Sequence, residues 1–385
     1  MNNELSDAIQ SGLDPVLLLR KKLGLSYVKD SAPGLLGKAL RLIGEGTVEG
    51  PALQSLLNIQ CELHRSAIVI VGCGGTGSHL VPNVLQFIAS KKKTDENWVV
   101  PQIFLVDGDK IEERNLIRQK FVSAEVGTNK AKALAKRYSA IWELPVSYYE
   151  GYVDKDILIK LLGEDVTRNY DSLIIMGAVD NHLARLEILK YMMAHADDQF
   201  AKSTFNNGLY WIDGGNESHH GQAILTIVPG RYSDRRRVAS WEFAKMGDTI
   251  PSVRTSNIFE RHPSILSKIE QRKDEGSCIA LSEIDPQTIQ ANMMSAFCMT
   301  SLLIQLLQGE TTSTSIYFDA KTGNTCTRFI TKETILEDFR IISEGGPAIK
   351  TALEKDYSIQ EIEGGGLLIN PDLDVAKDEV IIDSE

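Results

Sequence analysis

A run of glycines after residue 71 has the spacing of a turn that binds phosphate groups. Gly72, Gly74 and Gly77 form a G-x-G-x-x-G pattern directly after the apolar run 67–71. Glycine lets the backbone approach phosphates closely, and the N-terminus of a following helix supplies free N–H donors. Asp107 ends the next apolar run, where its carboxylate could accept hydrogen bonds from a ribose. These residues alone fit a dinucleotide-binding oxidoreductase best, and Asp107 could also be a simple turn residue.

Two cations that follow Asp107 favour a different chemistry. Arg118 comes eleven residues after it and Lys130 twenty-three. An enzyme that holds a triphosphate and releases pyrophosphate needs such positive charge, because negative charge grows on the phosphate oxygens as the α-phosphorus is attacked. A guanidinium can bind phosphate through two parallel N–H groups, whereas an ammonium acts as a mobile point charge. Each residue alone could equally be an ordinary surface cation.

Alternating strands and helices would position these residues. The continuous apolar runs have the length of strands and are typical of parallel strands buried on both faces. Their alternation with helices indicates an α/β fold, with a doubly wound, Rossmann-like, mostly parallel sheet and helices on both faces. The pattern predicts strands at 67–71, 102–107, 146–152, 171–176, 210–214, 221–228, 315–318 and 325–330, and helices at 51–64, 78–89, 130–141 and 181–195.

The longest predicted helix spans 286–307. Asp285 would be its N-cap and Pro286 its first residue, and Gly309 lies just past its end. Apolar residues at helical spacing predict one buried stripe along it. The stripe consists of Ile289, Met293, Ala296, Phe297, Thr300, Ile304 and Leu307.

Several motifs resemble those of the ThiF-like, ubiquitin-activating enzyme family. The first three are Gly-x-Gly-Gly-Thr-Gly-Ser from Gly72, the thirteen residues from Asp107 to Gln119, and the stretch from Gly127 to Lys130. The segment from Asp180 to Arg185 is similar to that family's Asp-Asn-x-x-x-Arg segment. The resemblance covers about residues 60 to 330, and it implies the nucleotide-binding α/β fold and the adenylating activity of the family.

The resemblance also implies a role for individual residues. Asp107 would hold the ribose of ATP, and Asp180 would bind Mg²⁺, although Asp180 could instead be the N-cap of the next helix. Gln119 and Arg185 would support the residues that contact the phosphates. The implied nucleotide-binding set is Gly72, Gly74, Gly75, Gly77, Asp107, Asp109, Asn115, Arg118, Gln119 and Lys130, and the implied catalytic residues are Arg118, Lys130 and Cys278.

The cysteines predict a reactive thiol rather than a metal site. None of them forms a Cys-x-x-Cys pair, so neither structural zinc nor a disulfide framework is expected. Cys278 lies just before the long helix, and by resemblance to the autophagy-type members it would form a thioester with the activated acyl group. Arg272 and Lys273 could lower the pKa of its thiol, but an inert loop cysteine is the alternative. Cys73, Cys298 and Cys326 are predicted to be packed residues.

Charged residues are distributed unevenly along the chain. The net charge of −11 argues against nucleic-acid binding. Residues 331–385 carry fourteen acidic against five basic residues, and residues 230–276 carry ten basic against seven acidic. The basic segment could dock a protein partner or be a solvated insertion. The sequence shows no signal or membrane span, which predicts a cytoplasmic protein without membrane contact.

These observations predict an N-terminal helical extension (1–64), a ThiF-like adenylation domain (65–330) containing the basic segment, and an acidic C-terminal extension (331–385). The activity would be ATP-dependent adenylation of the C-terminal glycine carboxylate of a ubiquitin-like or sulfur-carrier protein. A thioester at Cys278 and transfer to a conjugating enzyme would follow. The resemblance further implies a homodimer in which an N-terminal arginine reaches the partner's site, with Arg65 the nearest candidate.

Three other interpretations stay open. The first is adenylation of a small-molecule, peptide or tRNA-linked carboxylate without a thioester. The second is a nicotinamide-dependent oxidoreductase, which would not need Arg118. The third is a non-catalytic scaffold, which the presence of Arg118, Lys130 and Asp180 disfavours.

Overall fold

The computed structural model describes residues 65–163, 166–196, 203–230, 255–266, 288–309 and 311–330. It also describes single positions between 334 and 349 and the backbone of 358–362 and 366–370. The predicted helix 51–64, Cys278 with its neighbours Arg272 and Lys273, and most of the basic segment lie outside the described residues.

Eight strands form one mixed sheet in the order β3-β2-β1-β4-β5-β6-β7-β8. Strands β1 to β5 run parallel, and β6 to β8 are antiparallel. The strands are β1 (Ser66–Val71), β2 (Gln102–Val106), β3 (Val146–Tyr149), β4 (Ser172–Gly177), β5 (Gly208–Asn216), β6 (His220–Pro229), β7 (Ser313–Asp319) and β8 (Asn324–Phe329). A separate antiparallel pair is formed by β9 (Ser358–Ile362) and β10 (Gly366–Asn370).

Helices pack on both faces of the sheet, which confirms the predicted doubly wound architecture. One face is covered by α1 (Gly75–Thr94), α2 (Lys130–Trp142) and α7 (Ile289–Gln308). The other is covered by α3 (Lys155–Leu162), α4 (Val166–Asn169), α5 (His182–Ala194) and α6 (Ile258–Arg261). In β1, Ile68 and Ile70 face the first layer while Val69 and Val71 face the second, as expected for a central strand.

Two elements differ from the predicted boundaries between β1 and β4. Helix α1 continues to Thr94, so Lys91 to Lys93 form its last turn instead of a polar loop. Cations there interact favourably with the helix dipole. Helix α3 was not predicted, although Asp154 caps it by accepting a hydrogen bond from the Ile157 N–H at 2.6 Å.

Part of the basic segment belongs to the core. Ile258 and Phe259 of α6 are buried in the second layer, so a solvated insertion is the wrong interpretation for residues 255–266. Arg261 at the end of α6 pairs with Asp338 at 3.4 Å, and Arg328 of β8 pairs with the same carboxylate at 3.1 Å. Asp338, a residue of the predicted C-terminal extension, is buried by these contacts.

Helix α7 begins later and faces differently than predicted. Its N-cap is Thr288, whose hydroxyl accepts from the Ala291 N–H at 3.2 Å, so the predicted start at 285–286 is wrong. Ala296, Thr300 and Leu307 of the predicted stripe are buried, but Ile289, Met293 and Phe297 are 42%, 52% and 64% exposed, so the prediction is wrong for these three. The helix has no charged residue, so its apolar pattern cannot distinguish the buried face. Its length and composition would allow it to cross a membrane, but it packs as a core helix against α1, β5 and β6.

Candidate active site

The carboxyl ends of β1, β2 and β4 lie level, so the segments after them come together. Val71 pairs with Val106 on one side and with Gly177 on the other. The strand order reverses between β1 and β4, and in α/β sheets ligands bind outside the carboxyl ends at such a point. The glycine turn, Asp107 and Asp180 therefore follow three neighbouring strands at one edge of the sheet.

The glycine turn needs glycine for steric reasons. Gly72 has a φ of +89°, and a Cβ there would lie 2.5 Å from the Ala178 carbonyl oxygen. A Cβ on Gly77 would lie 1.9 Å from the Gly72 carbonyl oxygen. Both obstacles are backbone atoms that cannot move aside. The turn therefore packs against the segment after β4 at Gly72 and against its own backbone at Gly77.

The N-terminus of α1 is open to an anion. Gly74 is the N-cap residue, no side chain caps the helix and its first turn contains no acidic residue. The free N–H groups and the helix dipole attract negative charge there. The Cβ position of Gly74 lies 3.8 Å from Gln119 Nε2 and 4.0 Å from Lys130 Nζ, so an amide and a cation approach the same point.

Asp107 is held beside the turn by two backbone donors. Its Oδ2 accepts from the Cys73 N–H at 2.6 Å, and its Oδ1 accepts from the Asp109 N–H at 2.8 Å. Burial raises the pKa of Asp107 to about 6, and repulsion from Asp109 adds to the rise, while Lys130 and the two N–H donors oppose it. Each oxygen keeps a lone pair that could accept from a hydroxyl.

Lys130 is the first residue of α2 and its side chain is buried at the site. Its Nζ donates to Asp109 Oδ2 at 2.7 Å, and Asp109 Oδ1 accepts from the Tyr152 hydroxyl at 2.7 Å. Burial would raise the pKa of Asp109, but Lys130, Tyr152 and Arg114 together lower it. The carboxylate stays ionised and holds the ammonium close to the glycine turn.

The loop after β2 contributes Asn115, Arg118 and Gln119. Asn115 Oδ1 accepts from the Glu112 N–H at 2.9 Å and so caps a 3₁₀ helix, Glu113–Ile117. Gln119 is buried, and its Oε1 has no hydrogen-bond partner among the described residues. The Arg118 side chain forms no hydrogen bond or ion pair within the described chain. Within the described part of the chain, the loop therefore carries an unpaired guanidinium donor at Arg118 and an unpaired acceptor oxygen at Gln119.

Asp180 is available as a ligand because another residue caps α5. Asn181 is the N-cap, and its side chain accepts from the Ala184 N–H at 2.7 Å, so the capping role that the sequence allowed for Asp180 is wrong. The Asp180 carboxylate is exposed and has no partner in the part of the chain that the structure describes. No cluster of three or more acidic, cysteine or histidine residues occurs there either. A cation at Asp180 would need the phosphates as its other ligands.

Arg185 is engaged inside the protein. Its Nε donates to both carboxylate oxygens of Asp213, at 2.9 and 3.0 Å, and its Nη2 donates to the Gly214 carbonyl at 3.0 Å. Burial raises the pKa of Asp213 to about 6, against the opposing effect of Arg185. This buried pair fixes α5 to β5, and the supporting role of Arg185 at the phosphate site stays a prediction.

The sequence did not predict a polar contact between α1, β5 and α7. Asn292 of α7 is fully buried, and its Oδ1 accepts from Asn216 Nδ2 at 3.0 Å. The Thr76 hydroxyl lies 3.4 Å from the same oxygen but has a nearer acceptor in Asn216 Oδ1, at 3.1 Å. Its Nδ2 lies 2.7 Å from the Cβ position of Gly75 and has no partner among the described residues. Asn292 belongs to the distant α7, so only the fold brings it to the turn. Tyr152 was missed for the same reason.

The described cysteines offer no accessible nucleophile at this edge. Cys73 lies in the glycine turn, but burial raises the pKa of its thiol well above the usual value. Burial also raises the pKa of Cys298 to about 11. Cys326 is exposed, contrary to prediction, and lies on the edge strand β8. Five strand positions separate β8 from β1, or about 24 Å at the usual strand spacing.

Arg65 does not reach this edge. It precedes β1, at the opposite end of the strand from the glycine turn. Its guanidinium donates to both oxygens of Asp171, at 3.0 and 2.8 Å, and to the Arg168 carbonyl at 2.8 Å. These contacts attach Arg65 to its own chain, which makes it a poor candidate for an arm that enters a partner's site.

A family model for the ThiF family matches residues 41–333. The match covers most of the chain and includes the glycine turn, Asp107, Lys130 and Asp180. The chain belongs to the ThiF family, a family of adenylating enzymes.

Solved structures with a similar fold include MccB and PaaA. Escherichia coli MccB solved with AMPCPP and MccA is 18% identical, with a TM-score of 0.43, and the match covers 71% of this chain and 66% of that chain. For E. coli MccB with ATP the identity is 18%, the TM-score 0.43 and the coverage 76% and 71%. PaaA is 16% identical, with a TM-score of 0.43 and coverage of 80% and 86%. No curated protein matches the sequence. Likeness at this level says nothing about the substrate of this chain.

Proposed function

We propose that this protein adenylates a carboxylate at the expense of ATP. The observation that carries the proposal is the convergence of the Lys130 ammonium and the Gln119 amide on Gly74, at the uncapped N-terminus of α1. A diphosphate bound at one helix N-terminus does not need these groups, whereas a triphosphate that loses pyrophosphate does. Family membership disfavours the nicotinamide-dependent oxidoreductase.

The reaction joins the carboxylate to the α-phosphate. One carboxylate oxygen forms a bond to the α-phosphorus, the bond to the bridging oxygen breaks, and pyrophosphate leaves with that electron pair. A carboxylate is already ionised at neutral pH, so no general base is needed. The chain's contribution is to hold the reactants in line and neutralise charge through Lys130, Arg118 and the helix N-terminus. Asp107 would orient the ribose.

Mg²⁺ fits the donor set at Asp180. An exposed carboxylate with no described partner, three residues beyond β4, can share a hard cation with phosphate oxygens. When bound, Mg²⁺ would supply further neutralisation of the phosphate charge.

The substrate carboxylate would be the C-terminal glycine of a ubiquitin-like or sulfur-carrier protein. The support for this substrate is the family resemblance. Each described cysteine is buried or distant from the active-site edge, so a thioester would need a cysteine outside the described residues. The acyl group would then form a thioester with Cys278 and pass to a conjugating partner. The alternative is adenylation of a small-molecule, peptide or tRNA-linked carboxylate without a thioester step. Turnover that survives Cys278→Ala would favour that alternative.

A homodimer is also part of the proposal. Its structural support is the exposed stripe of α7 formed by Ile289, Met293 and Phe297, since exposed apolar patches of this kind often mark association surfaces. The protein would act in the cytoplasm.

The proposal is tested by nucleotide binding to the wild type and to Arg118→Ala. ATP·Mg²⁺ at about 100 times its Kd should stabilise the wild type by about 2.7 kcal/mol and raise Tm by several degrees. Arg118→Ala should lose most of this shift, because a hydrogen bond to a charged group contributes about 1.5–3 kcal/mol. Arg114→Ala is the matched control, since Arg114 is an exposed arginine in the same loop that pairs with Glu112. Stabilisation by NAD(H) that does not depend on Arg118 would contradict the proposal.

A further inference from the structure

Two consecutive residues of α1 bind the backbone of the loop that carries Arg118 and Gln119. Ser78 Oγ accepts from the Lys120 N–H at 3.0 Å. The imidazole of His79 lies within hydrogen-bonding reach of the Arg118 backbone, an interaction that opposes the lowering of the His79 pKa. The two contacts lie on either side of Gln119, so the peptide groups around this residue are fixed to α1 from both directions.

Both contacts are buried and therefore stiff. Ser78 is 0% and His79 is 5% exposed. His79 Nε2 has no partner among the described residues, so the nitrogen that binds the loop is Nδ1. Burial and the charge of Lys120 lower the pKa of His79, which keeps the ring neutral and able to donate from Nδ1. A buried, half-satisfied imidazole is unfavourable for packing alone, where an apolar residue would be better.

The same turn of α1 also forms the anion site. The Ser78 hydroxyl donates to the Gly75 carbonyl at 3.1 Å, and the Ser78 N–H donates to the Gly74 carbonyl at 2.9 Å. Ser78 thus connects the glycine turn to the loop within a few ångströms. From the other side, Arg137 of α2 donates to the Lys120 carbonyl at 2.7 Å. The loop backbone has little freedom to move relative to the helix N-terminus.

We propose that Ser78 and His79 are positioning residues that hold the Arg118 guanidinium and the Gln119 amide against the phosphates bound at the N-terminus of α1. The inference rests on the proposed function, because it assigns a role to the support of the same phosphate site. Supporting hydrogen bonds of this kind change affinity or activity about 10–100-fold when removed, by analogy with the outer shell of metal sites.

The experiment is a double-mutant cycle on nucleotide binding. The Kd values of ATP·Mg²⁺ and of inorganic tripolyphosphate are measured by calorimetry for wild type, His79→Leu, Arg118→Ala and the double variant. His79→Leu should weaken ATP·Mg²⁺ about tenfold in the wild-type background and less than about threefold in the Arg118→Ala background. His79→Asn should recover most of the affinity, because the asparagine Nδ2 can replace the donor Nδ1.

Further variants separate positioning from loss of stability. Ser78→Ala removes the second contact and should behave like His79→Leu. Val84→Ala is the structural control: Val84 is fully buried in α1 without a polar contact, and its loss should lower Tm but leave both Kd values unchanged. An equal effect of His79→Leu in both backgrounds, or no recovery by His79→Asn, would overturn the inference while wild-type binding upholds the proposed function. Failure of the wild type to bind either compound would overturn both.

Discussion

Asp107 is expected to give nucleotide binding a pH dependence. Its pKa is raised to about 6, and the ionised carboxylate is a stronger acceptor for a ribose hydroxyl than the protonated acid, which keeps only part of its acceptor capacity. Affinity should therefore rise with pH as the carboxyl group loses its proton. Between pH 5 and pH 7 we expect a gain of up to about tenfold for ATP, measured as Kd at several pH values.

The matched variant for this measurement is Asp107→Asn. It has no carboxylate to titrate at this position, while the phosphates of ATP titrate identically with both proteins. The ratio of the two Kd values should follow a single pKa near 6. A Kd ratio that stays constant between pH 5 and pH 7 would contradict the role of Asp107 in ribose binding.

The sequence identified candidate site residues within local motifs, but it did not predict which side chains contact them. Asp107 and Lys130 follow from spacing and resemblance, since both belong to local motifs. Tyr152 and His79 carry no local signal for their contacts with Asp109 and Arg118, because these depend on how β3 and α1 meet the loop. Asp180 was ambiguous for another reason: capping by Asn181 instead of Asp180 is a difference of one residue in the start of α5.

At the scale of elements, α1 and α7 pack closely together where Gly75 faces Asn292. A Cβ on Gly75 would lie 2.7 Å from Asn292 Nδ2, so Gly75→Ala should destabilise the protein by about 1–3 kcal/mol. Asn292→Ala should be destabilising alone, since it removes the acceptor of the Asn216 Nδ2 hydrogen bond. The double variant should cost less than the sum, because the new methyl group then has space. Urea unfolding of the four proteins measures the coupling.

Additive effects would show that the two helices do not compete for this space. Gly127→Ala provides a comparison, as a Cβ there has no atom within 4 Å and its cost comes only from the φ of +85°. It should show no coupling to Asn292→Ala.

Helix α7 shows which features of an element cannot be predicted from the spacing of apolar residues. The order of strands from β1 to β6 was predictable, because buried parallel strands produce continuous apolar runs, whereas α3 and α4 between β3 and β4 were missed. The exposed face of α7 was not predictable, because a helix that is apolar all round carries no periodic signal for which side meets α1 and the sheet. The predicted start of α7 was wrong because Asp285-Pro286 has the sequence pattern of an N-cap, whereas Thr288 is the N-cap in the structure.

At the scale of the whole molecule, a buried charge cluster joins distant parts of the chain. Arg261 of α6 and Arg328 of β8 share the carboxylate of Asp338. Asp338→Ala should destabilise the protein by about 3–5 kcal/mol, because the buried Arg261 guanidinium would lose its carboxylate partner and Arg328 would keep only Glu337. Lys132→Ala, which breaks an exposed pair with Glu150, should cost less than about 1 kcal/mol. Denaturant unfolding measures the free energy of unfolding of both variants. Equal losses of stability would contradict the prediction and would mean that the charge cluster is solvated.

The exposed stripe of α7 leads to a prediction about assembly. Phe297→Glu should shift the protein to a monomer in sedimentation or light-scattering measurements, since a charge in an apolar interface is unfavourable. Phe297 is already 64% exposed in the single chain, so folding should be little affected. Ile141→Glu, on the exposed side of α2 and 56% exposed, is the control. An unchanged association state in Phe297→Glu would exclude this stripe as the dimer interface.

The contact between Lys130 and Asp109 has a consequence for turnover. The ammonium is neutralised by its own carboxylate before any nucleotide arrives. In the proposed reaction, a triphosphate would share this cation with Asp109 and so gain less from it than from an unpaired lysine, and the lysine would remain paired when pyrophosphate leaves. Asp109 would therefore weaken the binding of pyrophosphate as well as that of ATP. We expect the carboxylate that holds Lys130 in place also to limit inhibition by the product.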